Sequence, residues 1–376
     1  MRIGIDIRCL MESRYSGISE YTYNLLDRLF KIDSKNQYFL FYNSAKPVEI
    51  PEFNYPNVEI KRFKYPNKIF NLLLRFFKIT EIDRLIGGVD VFLIPNFLFL
   101  NLSPACKKIL IVHDLSFDIY PEFFTFKKRL WHQLINPKKL CRDSDKIIAI
   151  SQNTKNDITE IYNINPDNIE IVNPGIADIF FQPIEATGKN AAKEKYNLPD
   201  RFIFYLGNLE PRKNLEALLL AFENIADKNI NLVIAGGWAW KYENINELWK
   251  NSPVKDRIKF LGYIDAKDRP ALYSLAEVFV YPSIYEGFGL PPAEAMACGT
   301  PVITSFSSSL PEVVGNAGLL IDPNNYNEIG QAIDQLLGDP ALTESLAQKG
   351  RQKAKQFNWQ QVAEKFLKIF DNLQQH

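Results

Sequence analysis

The chain has 376 residues, more than one ordinary core holds, and its 46% hydrophobic and 23% charged residues are the balance of a globular protein of two domains. Lys plus Arg and Asp plus Glu number 44 each, so net charge gives no reason to expect a nucleic-acid partner. Cys9, Cys106, Cys141 and Cys298 are scattered without paired spacing, and His113, His132 and His376 form no ligand pattern, which argues against a disulfide framework and against a bound metal.

Met1-Arg2-Ile3-Gly4-Ile5-Asp6 enters a strand at once and leaves no room for a signal peptide. The most apolar stretch, Val91 to Leu102, is broken by Pro95, Asn96 and Asn101 and is too short to span a bilayer, so a cytoplasmic location is expected. Strands are predicted at Arg2–Ile7, Tyr38–Tyr42, Val58–Phe63, Val91–Ile94, Ile109–Val112 and Lys146–Ile150, and helices at Ile18–Lys31, Lys68–Phe77, Phe126–Leu140 and Asn153–Tyr162. Asn173-Pro174-Gly175 breaks the pattern, and Gln182 to Leu198 reads as polar and irregular.

The alternation then restarts. Strands are expected at Phe202–Leu206, Asn231–Ala235, Ile258–Leu261, Val278–Tyr281, Val302–Thr304 and Gly318–Ile321, with helices at Asn214–Ala226, Ala266–Ser274 and Leu290–Cys298. After Pro323 the chain reads as helix at Tyr326–Leu337, Leu342–Gln356 and Trp359–Leu373. This order predicts an α/β protein of two doubly wound, Rossmann-like domains, residues 1–182 and 183–357, facing a central cleft, with ligands at the carboxyl ends of both sheets.

The most specific chemical signal lies at Glu286-Gly287-Phe288-Gly289-Leu290-Pro291-Pro292-Ala293-Glu294. Glu286 falls in the loop after a strand and Glu294 a turn or more inside the following helix, so two acceptors flank a helix mouth suited to an anion. A sugar nucleotide has that layout, with sugar hydroxyls on one side of a diphosphate and ribose hydroxyls on the other. Gly207-Asn208-Leu209-Glu210-Pro211-Arg212-Lys213-Asn214 is the matching loop after the first strand of the second half. Arg212 and Lys213, where the next helix begins, oppose its dipole and call for a compensating anion such as a diphosphate, unless they are merely a solvated pair.

In the first half, Ser16-Gly17-Ile18 opens a helix after the loop that follows the first strand, and a glycine there lets amides approach a phosphate or simply makes a turn. His113 closes a strand at its carboxyl end, where its ring can donate a hydrogen bond to a sugar hydroxyl or help stabilise an oxocarbenium-like transition state. Asp114 reads as the cap of the next helix. Asp143-Ser144-Asp145 precedes a buried strand with no further ligand in sight, so no metal is expected there.

From Lys61 to Arg84 seven cations (Lys61, Arg62, Lys64, Lys68, Arg75, Lys78, Arg84) face two acids (Glu81, Asp83), interleaved with Phe63, Tyr65, Phe70, Phe76 and Phe77. Phe123, Phe124, Phe126, Lys127, Lys128, Arg129 and Trp131 repeat the pattern. Such stretches suit either an anionic bilayer surface or a half-buried helix with a solvated basic edge.

With these residues assembled, the chain resembles the retaining glycosyltransferases of family 4, which have the GT-B architecture. The likeness runs over nearly the whole length. It rests on the Ser16-Gly17 loop, Val112-His113-Asp114, Gly207 to Asn214 and Glu286 through Glu294. The resemblance implies a nucleotide-activated hexose donor, retention of anomeric configuration, and neither cofactor nor metal. By position it implies that Glu286 holds donor-sugar hydroxyls and Glu294 the ribose, and that Arg212 and Lys213 bind the diphosphate. Gly17 is to contact the diphosphate from the opposing domain and His113 the sugar, with the amides of Phe288, Gly289 and Leu290 facing the donor. Asn208 departs from the arginine that many members carry after the strand-ending glycine.

The wording Leu209 to Asn214, with His113-Asp114-Leu115 and Tyr120-Pro121-Glu122, is most similar to bacterial mannosyltransferases of surface-polysaccharide assembly. That points to GDP-mannose as donor, while the basic-aromatic stretches, in the half that would receive the acceptor, suit a saccharide or polyprenyl-linked acceptor with peripheral contact at the anionic inner face of the membrane. The resemblance also implies a last helix, about 358–376, packed back on the first domain. Rival readings are a sugar-nucleotide 2-epimerase of the same architecture and a non-catalytic scaffold subunit.

Overall fold

The segments Phe202–Leu206 and Val278–Tyr281 are apolar at every position, and in the computed structural model they are neighbouring strands near the middle of a parallel sheet, buried along nearly their whole length. The structure describes residues 1–12, 16–74 and 80–374. In chain order the first sheet is built from β1 (Arg2–Asp6), β2 (Gln37–Asn43), β3 (Val58–Phe63), β4 (Val91–Ile94), β5 (Lys107–Val112), β6 (Lys146–Ala149) and β7 (Ile169–Ile171). Its helices are α1 (Gly17–Ile32), α2 (Asn67–Leu72), α3 (Ile82–Leu85), α4 (Ser116–Ile119), α5 (Phe126–Ile135), α6 (Pro137–Arg142) and α7 (Gln152–Tyr162).

The second half contains β8 (Phe202–Leu206), β9 (Asn231–Ala235), β10 (Ile258–Gly262), β11 (Val278–Tyr281), β12 (Val302–Ser305) and β13 (Leu319–Ile321). Its helices are α8 (Ala186–Lys195), α9 (Leu215–Asn224), α10 (Glu243–Asn251), α11 (Arg269–Leu275), α12 (Leu290–Cys298), α13 (Leu310–Val314), α14 (Tyr326–Gly338) and α15 (Pro340–Ala354), and α16 (Trp359–Gln374) closes the chain.

All pairings in both sheets are parallel. The strand orders are β3-β2-β1-β4-β5-β6-β7 and β10-β9-β8-β11-β12-β13. Each order reverses direction once, beside β1 in the first sheet and beside β8 in the second. A doubly wound sheet opens a crevice at the carboxyl ends of the strands on either side of such a reversal. In the second sheet that crevice is flanked by the loops after β8 and β11, which are the two loops carrying Arg212, Lys213 and Glu286.

Contacts group the chain into two units. One comprises Met1–Phe117, Phe126–Gly175 and Asn358–His376, the other Asp118–Thr125 and Ile176–Phe357. The chain changes unit at Gly175, ahead of residue 182. Gly175 lies against Trp359, where an added Cβ would sit 2.5 Å from the indole, whereas the amide of Ile176 already bonds the carbonyl of Phe357. Asp118–Thr125, expected within the first domain, instead packs in the second unit, where the Trp240 indole donates to the carbonyl of Phe123 at 2.8 Å and the Tyr120 ring lies 5.8 Å from that of Tyr285. In the first unit α16 lies on α1, with Tyr21 edge-on to Trp359.

Several expected elements change. Residues 182–198 are not irregular: they contain α8, a polar helix with Ala192 as its buried contact. The helix expected at Phe126–Leu140 is broken in two because Asn136 adopts a left-handed conformation and Pro137 cannot continue the preceding turn. Strand β7 and helices α3, α10 and α13 were not anticipated; β7, α3 and α13 have only three, four and five residues, too few for a periodic signal. The expected helix Lys68–Phe77 is seen as α2 over its first part. Its Arg75, Phe76 and Phe77, like Lys78, Tyr15 and His376, lie outside the described residues.

Candidate functional site

The loop after β8 is shaped by two backbone features. Gly236, at the end of β9, has φ of +138° and brings its Cα so close to the Gly207 carbonyl that a Cβ would fall 1.9 Å from the oxygen. Asn214 takes a left-handed conformation at φ 54° and ends the short 3₁₀ turn Pro211–Lys213 before α9 begins. Its amide donates to the carbonyls of Pro282 and Pro323 at 3.1 and 2.6 Å, which ties the β8 loop to the β11 loop. The amide of Ile284 and the hydroxyl of Ser283 also bond the Arg212 carbonyl. Arg212 and Lys213 are therefore held on a fixed turn facing the loop that carries Glu286.

Glu286 is 7% exposed and its carboxylate is fully engaged. Oε1 accepts from Lys213 Nζ at 2.6 Å, Ser283 Oγ at 2.6 Å and Tyr281 Oη at 2.9 Å, while Oε2 faces an Arg212 guanidinium nitrogen at 3.1 Å. The same nitrogen donates to the Tyr285 carbonyl at 2.8 Å, and the other terminal nitrogen pairs with Glu210 Oε1 at 2.9 Å. Burial alone raises the Glu286 carboxyl, but Lys213 and Arg212 outweigh it and bring it down to about 2. Burial and the neighbouring Arg212 lower the Lys213 ammonium, against the pull of Glu286. Tyr281 stays protonated through burial and the adjacent carboxylate, and its hydroxyl accepts from Lys213 at 2.6 Å while donating to Glu286.

The two cations of the β8 loop are thus neither solvated nor left to the helix dipole. They are matched inside the protein by Glu210 and Glu286.

Helix α12 begins after Gly289, whose φ of +101° and contact with Leu310 (a Cβ would lie 2.7 Å from its Cδ2) admit no side chain without strain. The hydroxyl of Ser309 reaches the carbonyls of Glu286 and Phe288 at 2.9 Å each, and Ser308 Oγ accepts from the Glu286 amide at 2.9 Å. Phe288 packs edge-on against Phe357. Pro291 and Pro292 carry no N–H, so the helix mouth is poorer in donors than the motif suggests. The amides of Phe288, Gly289 and Leu290 lie ahead of the two prolines.

Glu294, the fifth residue of α12, is buried. Its carboxylate accepts from Tyr273 Oη at 2.9 Å and stands 3.6 Å from an Arg269 nitrogen, both on α11. Asn208 is exposed in the β8 loop. Arg212, Lys213 and Glu286 are therefore in direct contact, and Asn208, Phe288, Gly289, Leu290 and Glu294 belong to the same unit. Sequence reading missed Glu210, Tyr281, Ser283, Ser308, Ser309, Tyr273 and Arg269; Ser307-Ser308-Ser309 was the one cluster whose composition could have drawn notice.

In the first unit, His113 Nε2 lies 2.8 Å from the Pro95 carbonyl, which can only accept, so Nε2 carries the proton. Burial lowers the imidazole below its ordinary 6.5, against the Pro95 bond and Asp114, and the ring is neutral. Its remaining nitrogen, Nδ1, is then a hydrogen-bond acceptor. A sugar hydroxyl meeting Nδ1 would donate to it, the reverse of the sense expected from the sequence.

Asp114 accepts from the Ser116 amide and hydroxyl at 2.9 and 2.6 Å, at the start of α4. Gly17 opens α1 behind Ser16, whose hydroxyl accepts from the Ser19 amide, and a Cβ on Gly17 would meet nothing within 4 Å. Asp145 is taken up by the Lys108 amide and the Lys107 ammonium. Among the described residues no group of three or more acidic, His or Cys side chains is arranged to hold a metal, and no helix is long and apolar enough to cross a membrane.

Two family models match the chain and together take in most of it: "Glycosyltransferase Family 4" over residues 15–178 and "Glycosyl transferases group 1" over 187–353. The chain is 29% identical to the O-antigen chain mannosyltransferase B of Escherichia coli over 367 residues, 92% of this chain and 93% of that protein. It is also 29% identical to the serotype-specific mannosyltransferase WbdA of E. coli, but over 72% of this chain and only 34% of that longer protein. Among solved structures, sucrose-phosphate synthase from Thermosynechococcus elongatus superposes with a TM-score of 0.78 at 23% identity, covering 99% of this chain and 98% of that one. HepE from Anabaena, solved in complex with UDP and glucose, gives 0.73 at 18% identity over 99% and 100%. These likenesses show the shared GT-B fold.

Proposed function

Because the chain belongs to glycosyltransferase family 4, we propose that it transfers mannose from GDP-mannose to a hydroxyl of a saccharide or polyprenyl-linked acceptor in surface-polysaccharide synthesis, with retention at the anomeric carbon and without a metal ion. The observation that carries this reading is the cluster of Lys213 and Arg212 on Glu286, with Glu294 on the helix that follows. Its cations match a diphosphate and its acids match hydroxyls on either side. The likeness to the E. coli O-antigen chain mannosyltransferase supports mannose as the sugar.

In this reading Arg212 and Lys213 bind the diphosphate, Glu294 accepts from the ribose hydroxyls, and Glu286 and His113 Nδ1 accept from hexose hydroxyls. The amides of Phe288, Gly289 and Leu290, with Asn208 nearby, line the donor, and a diphosphate contact is assigned to Gly17 at the start of α1. As the glycosidic bond to phosphate breaks, negative charge grows on the leaving oxygen, and the fixed cations stabilise it. They supply the positive charge that a divalent ion provides elsewhere. The acceptor hydroxyl approaches the face the nucleotide leaves from and gives its proton to the departing phosphate oxygen.

Helix α5 supports a peripheral contact of this cytoplasmic enzyme with the anionic inner face of the membrane. Phe126 is 77% exposed, Leu130, Trp131 and Leu134 are exposed beside it, and Lys127, Lys128 and Arg129 share a helix that has no acid.

The test is incubation with GDP-mannose, UDP-glucose or UDP-N-acetylglucosamine in the presence of EDTA, with and without mannose-terminated oligosaccharides, following released nucleotide and the anomeric configuration of the product. GDP-mannose is expected to turn over fastest and to give the retained anomer. Preference for a UDP-sugar would change the donor, an inverted product would remove the mechanism, and no turnover of any donor would defeat the reading.

A further inference from the structure

The charge balance of the β8 and β11 loops has a consequence for which ligand the site accepts. Two largely buried cations, Arg212 and Lys213, are matched by two buried carboxylates, Glu210 and Glu286, so their charges balance. A diphosphate brought onto the same cations adds negative charge to a site that is already balanced, and one carboxylate must give up its place. Glu286 is the one in the way, since Lys213 Nζ and one Arg212 nitrogen both point at it. Glu210 holds the other Arg212 nitrogen and keeps the guanidinium in position.

A buried carboxylate that loses its cations without finding new donors is strongly unfavourable. A hexose attached to the diphosphate supplies such donors, because its hydroxyls can bond the displaced carboxylate. A bare nucleoside diphosphate has no hexose hydroxyls, and its ribose hydroxyls are taken by Glu294 in the reading above.

We propose that Glu286 makes the site discriminate between the sugar-bearing nucleotide and the free nucleoside diphosphate, by occupying the diphosphate's partners until a hexose rehouses its carboxylate. The idea rests on the donor reading given above and goes beyond it. Glu286 is then a specificity-determining residue that favours entry of the donor and departure of the spent nucleotide, in addition to gripping the sugar.

Titration calorimetry of the full chain with GDP and GDP-mannose, and with UDP and UDP-glucose, tests this in the wild type, Glu286→Gln and Glu210→Gln. In the wild type the sugar-bearing member of the bound pair is expected to bind more tightly. Glu286→Gln should shrink that preference by about tenfold or more, whereas Glu210→Gln, which removes equal charge but no competitor for the seat, should leave it within about twofold. An unchanged preference in Glu286→Gln overturns the proposal, and so does an equal loss in Glu210→Gln.

Crystals of the wild type with GDP make the test independent of how well the variants fold. Phosphate oxygens on Lys213 with Glu286 turned away support the proposal; a Lys213–Glu286 contact still at 2.6 Å beside a bound diphosphate overturns it. A wild type that binds none of the four nucleotides defeats the donor reading itself.

Discussion

Lys213 Nζ lies 2.6 Å from Glu286 Oε1, joining residues 73 apart in the chain through the loops after β8 and β11. Both side chains are nearly buried, and Tyr281 Oη bridges them from the strand below. With Tyr281 still holding it once Glu286 turns to the hexose, the ammonium needs little reorganisation when a leaving group develops charge beside it, the condition under which electrostatic stabilisation is most effective.

Lys213→Ala is accordingly expected to lose at least about two orders of magnitude in turnover, the effect of removing one fixed charge-stabilising donor. Steady-state rates with saturating donor check this. A near-normal turnover number would take Lys213 out of the leaving-group machinery.

Acid should weaken the fold through Glu286. Its carboxyl is held at about 2 in the folded protein against an ordinary value of 4.5, so the stability it contributes is fully present above 4.5 and is lost as the pH falls towards 2. Unfolding midpoints measured between pH 5 and pH 2 should fall more steeply in the wild type than in Glu286→Gln. Parallel profiles would show that the ion pairs do not set the carboxyl as described.

Glu294→Ala should weaken nucleotide binding by about tenfold, the scale of one lost charged hydrogen bond, with a smaller effect on the rate at saturating donor. It also strips the buried Tyr273 hydroxyl of its acceptor, so Tyr273→Phe is the companion variant that separates loss of a ribose contact from loss of local order. Donor affinity unchanged in Glu294→Ala would remove the ribose role.

The two glycines proposed to meet the donor should behave in opposite ways. Gly289→Ala forces a side chain into left-handed backbone and against Leu310, and is expected to cost about 1–3 kcal/mol in chemical denaturation. Gly17→Ala meets open space and should change stability by no more than about 0.5 kcal/mol, while reducing donor affinity if the α1 amides contact the diphosphate. A destabilised Gly17→Ala would mean that its glycine serves the fold.

Much of this was readable in the sequence because parallel strands are short apolar runs. Val91–Ile94, Phe202–Leu206, Asn231–Ala235 and Val278–Tyr281 have the bounds their composition predicts. The acids at 286 and 294 and the cations at 212 and 213 stood out by spacing alone. What pairing they make did not, since Glu210 and Glu286 meet Arg212 only through the folding of two loops.

The hydroxyls of Ser283, Ser308 and Ser309, which hold the Glu286 loop, look like ordinary turn residues in one dimension. The sense of the His113 hydrogen bond was likewise hidden, because it depends on a carbonyl eighteen residues upstream. The placement of Asp118–Thr125 in the second unit carries no periodic signature at all; it is fixed by contacts with Trp240 and Tyr285.

The most direct test of the central claim is a crystal structure with an uncleavable GDP-mannose analogue. Diphosphate oxygens are predicted within hydrogen-bonding distance of Arg212 and Lys213, with the ribose on Glu294 and the hexose on Glu286. An analogue bound away from these four side chains would contradict the account.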